Sequence, residues 1–363
     1  MKALYCGIDL HASSGTYVVT DQHDHIVFKK RLPNELPVVL EALQPFQQGI
    51  KAMAVESTFN WYWLVDGLAE QGYPIRLANP AAMEPYEGLK DANDRTDALF
   101  LAQLLRLGIL PEGYIYPKAD RPVRDLLRRR MRLVQQRTAT ILSLQALFTR
   151  HTGHNLSLRT IVRFSGSERA ALLQDDAFLL FTVQEQMDLI ALLTAKIKRF
   201  EATVLETARL KPSFEILLSI PGVGTILALT IMLETGDIHR FKKVGNYTSY
   251  CRCARAKHTS AGKVKKSNNR KNGNKYLSWA FVEAVHHAIR CCPPAQRFYR
   301  RKRAQRNGAV ATKALASKWS KAAYYVMKRQ VPFDSKKVAG GGRTDERVGS
   351  DHAGLIGGPP PGP

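Results

Sequence analysis

The chain has 363 residues, 45% of them apolar, and a formal net charge of +23. That length allows two or three domains with a sizeable core, and that charge points to a polyanionic partner. Five cysteines, an odd number in a chain this long, argue against a disulfide framework. Asp9 interrupts the early apolar run and no run of about 18 apolar residues appears, so neither a signal peptide nor a membrane span is expected.

The charge is unevenly placed. Residues 1–100 carry 8 Lys and Arg against 13 Asp and Glu, residues 101–200 carry 16 against 8, and residues 201–363 carry 30 against 10. An acidic front joined to a basic rear separates chemistry from polyanion binding.

Leu4 to Leu10 reads as a buried strand with an acid, Asp9, near its end. Ser13-Ser14-Gly15 is turn chemistry, Thr16 to Thr20 a second strand and His25 to Lys29 a third, at the spacing of an antiparallel meander. Pro37 to Leu43 is helical, with Pro37 suited to a first turn. Ala52 to Glu56 is a strand that again ends in a carboxylate, Asn60 to Gln71 an amphipathic helix, and Ile75 to Ala78 a fifth strand. Asp94 to Leu107 is a helix that opens on Asp94 and Asp97, three residues apart and so on one face.

The order βββαβαβα over residues 1–117 is that of an RNase H-like fold. In it strands one and four are neighbours, so Asp9 and Glu56 share one end of the sheet and Asp94 and Asp97 close the site from a helix. Singly, each acid reads as a turn former or a helix cap. As a set in this order they read as ligands. Four oxygen donors suit Mg²⁺, and two metals about 4 Å apart clamp the attacking and leaving oxygens of a phosphodiester. Asp91 is left out of the set.

Gly7-Ile8-Asp9, Val55-Glu56-Ser57 and Asn93-Asp94-Arg95-Thr96-Asp97-Ala98 before a Leu/Ala helix resemble the RuvC-like domain of the DEDD transposases of the IS one-ten insertion-sequence family. The resemblance places the family's acids at Asp9, Glu56, Asp94 and Asp97.

Residues 118–211 read as a basic helical, coiled-coil arm. Arg121 to Arg150 and Val183 to Leu210 are helical in pattern, and His151 to Gly166 breaks the run with Gly, Asn and Ser. Arg128, Arg129 and Arg130 are candidates for a phosphate-tracking face, against a plain solvated face. The family resemblance implies an oligomerisation arm here.

Residues 212–333 form the basic rear, expected to be mainly helical. Ile220-Pro221-Gly222-Val223-Gly224 reads as the turn of a helix-hairpin-helix, whose second helix offers free N–H groups to a backbone phosphate through Gly222 and Gly224. Residues 242–275 hold 11 Lys or Arg and no acid, with Tyr247, Tyr250 and Tyr276 as interleaved or adjacent stacking rings. Lys263, Lys265, Lys266, Arg270, Lys271 and Lys275 are the nucleic-acid candidates. Ser-x-Gly, a basic loop and then Gly-Asn-Lys-x-Leu resemble the rear transposase domain of the same family, whose nucleophilic serine falls on Ser260. Ala261 departs from the commoner Ser-Gly, so Ser267 and Ser278 are alternatives. Cys251, Cys253, Cys291 and Cys292 fit no common zinc spacing and read as buried thiols. Residues 334–363 are of low complexity and expected to be disordered.

What the resemblance implies is a DNA transposase of a bacterial mobile element. It would be guided by a structured RNA, with Mg²⁺ on the four acids and Ser260 as nucleophile. It would act on donor and target DNA as a dimer or tetramer in the cytoplasm, at the nucleoid when bound to DNA. The rival is a RuvC-like hydrolytic nuclease of branched DNA in which Ser260 is only structural.

Overall fold

The first strand, Leu4–Leu10 (β1), pairs antiparallel with Ser14–Thr20 (β2), which pairs with Ile26–Pro33 (β3). Leu36–Leu43 (α1) leads to Ile50–Glu56 (β4), and Tyr62–Glu70 (α2) to Ile75–Ala78 (β5). These five strands form one sheet in the order β3-β2-β1-β4-β5, with β1, β4 and β5 parallel. The computed structural model describes residues 2–83, 86, 97–208, 212–254, 258–260, 263–265 and 272–334. The meander and the adjacency of strands one and four are as expected.

Both faces of β1 and β4 are covered, which explains their near-continuous apolar runs. Cys6, Ile8, Met53 and Val55 pack with Val39, Leu43, Leu64 and Leu68 of α1 and α2. On the other face Ala52 and Ala54 pack with Phe100, Leu101 and Leu104. Those last belong to α4, Asp97–Arg106, which follows a short helix α3, Pro80–Met83. Both ends of α4 are fixed. A methyl group on Gly7 would lie 1.8 Å from the Ala98 carbonyl oxygen, so the helix backbone lies directly on β1. At the other end Arg106 donates to both carboxylate oxygens of Asp24, at 2.7 and 2.6 Å, in the turn between β2 and β3.

The arm consists of Arg121–Thr152 (α5) and Ala177–Thr207 (α8). Arg130 bonds Glu201 and Arg137 bonds Thr194, while Leu144 and Phe148 pack with Val183 and Ile190, so the two run antiparallel. The expected break, 151–166, contains one short helix, Leu158–Arg163 (α6); a second, Gly166–Leu172 (α7), starts at its end, and α8 begins at Ala177, ahead of the expected Val183. Ser165 and Glu168 form a capping box at the start of α7. Of the described helices, α8 alone is long and apolar enough by composition to cross a membrane. Its apolar residues divide between the seam with α5 and an exposed stripe of Phe178, Phe181, Leu189 and Leu192.

The rear comprises Pro212–Leu218 (α9), Thr225–Thr235 (α10), Val244–Tyr250 (α11), the hairpin His258–Ser260 (β6) with Lys263–Lys265 (β7), Lys275–Cys291 (α12), Pro293–Gln305 (α13) and Gly308–Arg329 (α14). Its core holds Trp319, Tyr247 and Phe281. Tyr247 is therefore no stacking ring: it is fully buried and its hydroxyl bonds Thr235. Cys251, Cys253 and Cys292 are buried while Cys291 is exposed, and burial raises the Cys251 thiol and pushes Cys253 up to about 12. As free thiols, buried groups held protonated in this way are unreactive.

Candidate functional site

Strand parity decides which acids meet. Side chains two apart on a strand share a face. Glu56 follows Ala52 and Ala54 on the face that α4 covers, and Asp9 follows Gly7 on the same face. The parallel register pairs Ile8 with Val55, so Asp9 and Glu56 are the next residues along neighbouring strands. Because Arg106 is anchored at the turn beyond β2, α4 runs back along β1, and its first residue, Asp97, lies toward the strand ends that carry Asp9 and Glu56. Asp97 is exposed there. Asp94 and Asp91 lie outside the described residues. Among the described residues no group of three or more His, Cys, Asp or Glu forms a metal cluster. The donor chemistry of Asp9, Glu56 and Asp97, all carboxylate oxygens, fits a hard divalent cation.

Sequence reasoning missed His11, whose Nε2 lies 3.2 Å from Asp9 Oδ2. Its position two residues after a strand-end acid was the available signal. The backbone around it is held, since His11 O accepts from the side-chain amides of Asn34 and Asn60 at 3.0 and 2.8 Å.

A second constellation joins the front, the arm and the rear. Glu234, near the end of α10, is 1% exposed. Its carboxylate accepts from Arg124 at 3.1 Å, from Arg128 at 2.5 and 2.9 Å and from the Asn274 amide at 2.7 Å, and its carbonyl accepts from the Tyr116 hydroxyl at 2.7 Å. Burial acts to raise this carboxyl, but the bonds from Arg128, the nearby Arg124 and the Asn274 amide outweigh it and hold it below its usual range. Asn274 also caps α12, accepting from the Tyr276 and Leu277 N–H groups at 2.8 and 3.1 Å. Arg121, beside these on α5, donates to both oxygens of Asp66 on α2 at 2.8 Å.

These pairs change the role of two expected phosphate contacts. Arg128 is held by Glu234 and lies over the Tyr276 ring at 4.4 Å, and Arg130 is held by Glu201, whereas Arg129 is exposed. In the turn between α9 and α10, where a helix-hairpin-helix was expected, Gly222 has a φ of 83° and a methyl there would lie 2.1 Å from the Ala284 carbonyl oxygen, so packing on α12 accounts for it. Gly224 precedes α10 with no side-chain cap and nothing within 4 Å of an added methyl. Ser260 ends β6 and pairs with Lys263 across residues 261 and 262, and Lys265 pairs with His258. Lys266, Ser267, Arg270 and Lys271 lie outside the described residues, as do residues 335–363. Lys275 is exposed at the start of α12, and Ser278 is half-buried in that helix.

Two family models match the chain. One, of the DEDD IS110 type and described as a transposase, matches residues 6–152. The other, described as the Transposase IS116/IS110/IS902 family, matches residues 214–300. The chain is 26% identical over 239 residues to the transposase for insertion sequence element IS1111A of Coxiella burnetii, covering 64% of this chain and 63% of that protein. It is 27% identical over 125 residues to an uncharacterized 44.8 kDa protein of insertion element IS116 of Streptomyces clavuligerus, covering 34% of this chain and 31% of that one. The matches thus span less than two thirds of these relatives' lengths. The front and the rear of the chain thus each match a model of IS110-type transposases, and two of the acids expected of such a domain stand side by side at the ends of adjacent strands, Asp9 next to last in β1 and Glu56 last in β4.

Proposed function

We propose that this protein is the transposase of a mobile insertion element, which cuts and rejoins donor and target DNA under the direction of a structured RNA. The observation that carries the reading is the convergence of Asp9, Glu56 and the helix start at Asp97 on one end of the sheet, in a chain whose basic residues lie elsewhere. With Asp94, these acids make up the site of an RuvC-like domain. Mg²⁺, when bound, supplies the charge that neutralises the carboxylates and polarises the scissile phosphate.

Ser260 is the nucleophile. Its hydroxyl oxygen bonds to the phosphorus, the bond to the 3′ oxygen breaks, and the 5′ phosphate stays on the serine; the proton the serine loses is matched by one the 3′ oxygen gains. The energy of the phosphodiester is kept for rejoining, so no ATP is needed. Lys263 and Lys265 of the paired strand and the basic residues that follow them in the sequence stabilise the charge that develops. An acidic site alone repels DNA, which supports a division of labour between subunits of a dimer or tetramer, the acids of one meeting the serine of another. The guide RNA rests on family likeness and on the excess of positive charge. The chain acts in the cytoplasm, on the nucleoid.

The test is covalent capture. With labelled element-end DNA, guide RNA and Mg²⁺, the wild type leaves a protein–DNA adduct, Ser260→Ala removes it, and Asp94→Asn or Asp97→Asn abolishes strand cleavage in a folded protein. Cleavage without an adduct, unaffected by Ser260→Ala, establishes a hydrolytic nuclease instead. Cleavage retained by Asp94→Asn removes the acid-site assignment.

A further inference from the structure

Beyond the acids, β4 continues into Ser57-Thr58-Phe59, and these residues line a cleft whose other wall is built by α5 and the start of α12. Phe59 is 85% exposed, three residues after Glu56. A single exposed phenylalanine on a surface needs no explanation. This one shares its cleft with Tyr276, Arg129, Arg132, Arg252 and Lys275. The Tyr276 ring is held by the Arg128 guanidinium, itself fixed by buried Glu234. The two carboxylates on the walls are engaged: Glu112 bonds Arg76 at 2.7 Å and Asp125 accepts from the Tyr62 hydroxyl at 3.4 Å. The cleft is thus cationic with an aromatic ring on either side.

Charge selects a polyanion, and rings select among polyanions. A duplex presents phosphates and base edges, whereas an unpaired strand presents base faces that stack on aromatic side chains at any sequence. We infer that this cleft binds an unpaired stretch of DNA, with Phe59 and Tyr276 as base platforms and Arg129, Arg132, Arg252 and Lys275 on its phosphates. The choice of DNA rests on the function proposed above, because the cleft opens beside Glu56 and a strand lying in it passes the acids. Phe59 is a positioning residue: it holds the nucleotides flanking the scissile phosphate and does not touch the reacting atoms.

The experiment measures binding by the full-length protein, without metal, of three labelled probes: an oligo-dT, a DNA duplex of equal length and an oligo-U. Phe59→Ala weakens oligo-dT binding about 5- to 150-fold, the worth of one lost base stack, leaves duplex binding unchanged, and is restored by Phe59→Trp. Equal oligo-dT affinity in Phe59→Ala overturns the proposal, as does an equal loss for the duplex. A loss confined to oligo-U overturns the assignment to DNA. Because metal and the acids take no part in this measurement, its failure is separate from failure of the cleavage reading.

Discussion

Gly7 and Ala98 touch backbone to backbone: the position of a β-carbon on Gly7 falls 1.8 Å from the Ala98 carbonyl oxygen and 2.7 Å from the Ala102 nitrogen. This contact sets the height of α4 above β1, and so where Asp97 stands relative to Asp9. Gly7→Ala must push the helix outward, at a cost of about 1–3 kcal/mol as for other overpacked cores. The expected result is a lower unfolding midpoint together with loss of strand cleavage. Gly166→Ala, where nothing lies within 4 Å, serves as the control and changes neither.

Glu234 ties stability to acid. Its carboxyl lies below its ordinary value, so its charge stabilises the fold above the unfolded value, about 4.3, and that contribution is lost as pH falls through the folded one. Glu234→Gln leaves Arg124 and Arg128 without their counter-charge, a loss of about 3–5 kcal/mol for a buried pair. Thermal unfolding followed from pH 7 downward shows the variant less stable at neutral pH, with a shallower acid limb than the wild type. Parallel curves with a constant offset remove the titration argument.

Asn274 serves two purposes through two atoms. Its oxygen caps α12 and its amide nitrogen donates to Glu234. Aspartate caps a helix as well as asparagine does, so capping alone makes Asn274→Asp harmless. The bond at 2.7 Å says otherwise, because it would set two carboxylates against each other. Asn274→Asp is therefore expected to lower the unfolding midpoint at pH 7 and to recover part of the loss as pH falls. Equal stability at pH 7 would show that the cap is all that matters.

Much of the front was legible because its signals are local. Strands ending in acids, a Pro at a helix start and a Leu/Ala run each act within a few residues, and the order of the elements places β1 beside β4. The junction was not legible. Arg128 and Glu234 are 106 residues apart, and nothing in either neighbourhood marks them as partners. Arg128 read as a solvated or phosphate-bound cation because a charge run has the same appearance in either case. Tyr247 misled for a related reason: set among lysines it reads as a surface ring, yet the helix that bears it turns that position into the core beside Phe281 and Tyr324. His11 stands two residues after Asp9 and was passed over because it belongs to no run or period, whereas Phe59 is placed in the cleft only by the fold.

The exposed stripe of α8 gives the last prediction. Val183, Ile190, Leu193, Ile197 and Val204 are buried on α8, with α5 packed along it, whereas Leu189 and Leu192 are 44% and 52% exposed on the same helix. On α5, Leu142 is 60% exposed. Apolar residues repeated along an exposed helix side, with the inner seam already filled, suit a second copy of the same arm better than solvent. Leu189→Glu with Leu192→Glu leaves the buried seam intact, so the helical content and the unfolding midpoint should stay near those of the wild type. The sedimenting mass is expected to fall to that of a single chain at concentrations where the wild type associates. Because the acids and Ser260 are proposed to meet across subunits, the covalent adduct should be lost with it. An unchanged mass in a folded variant would remove this face of α8 as the contact between copies.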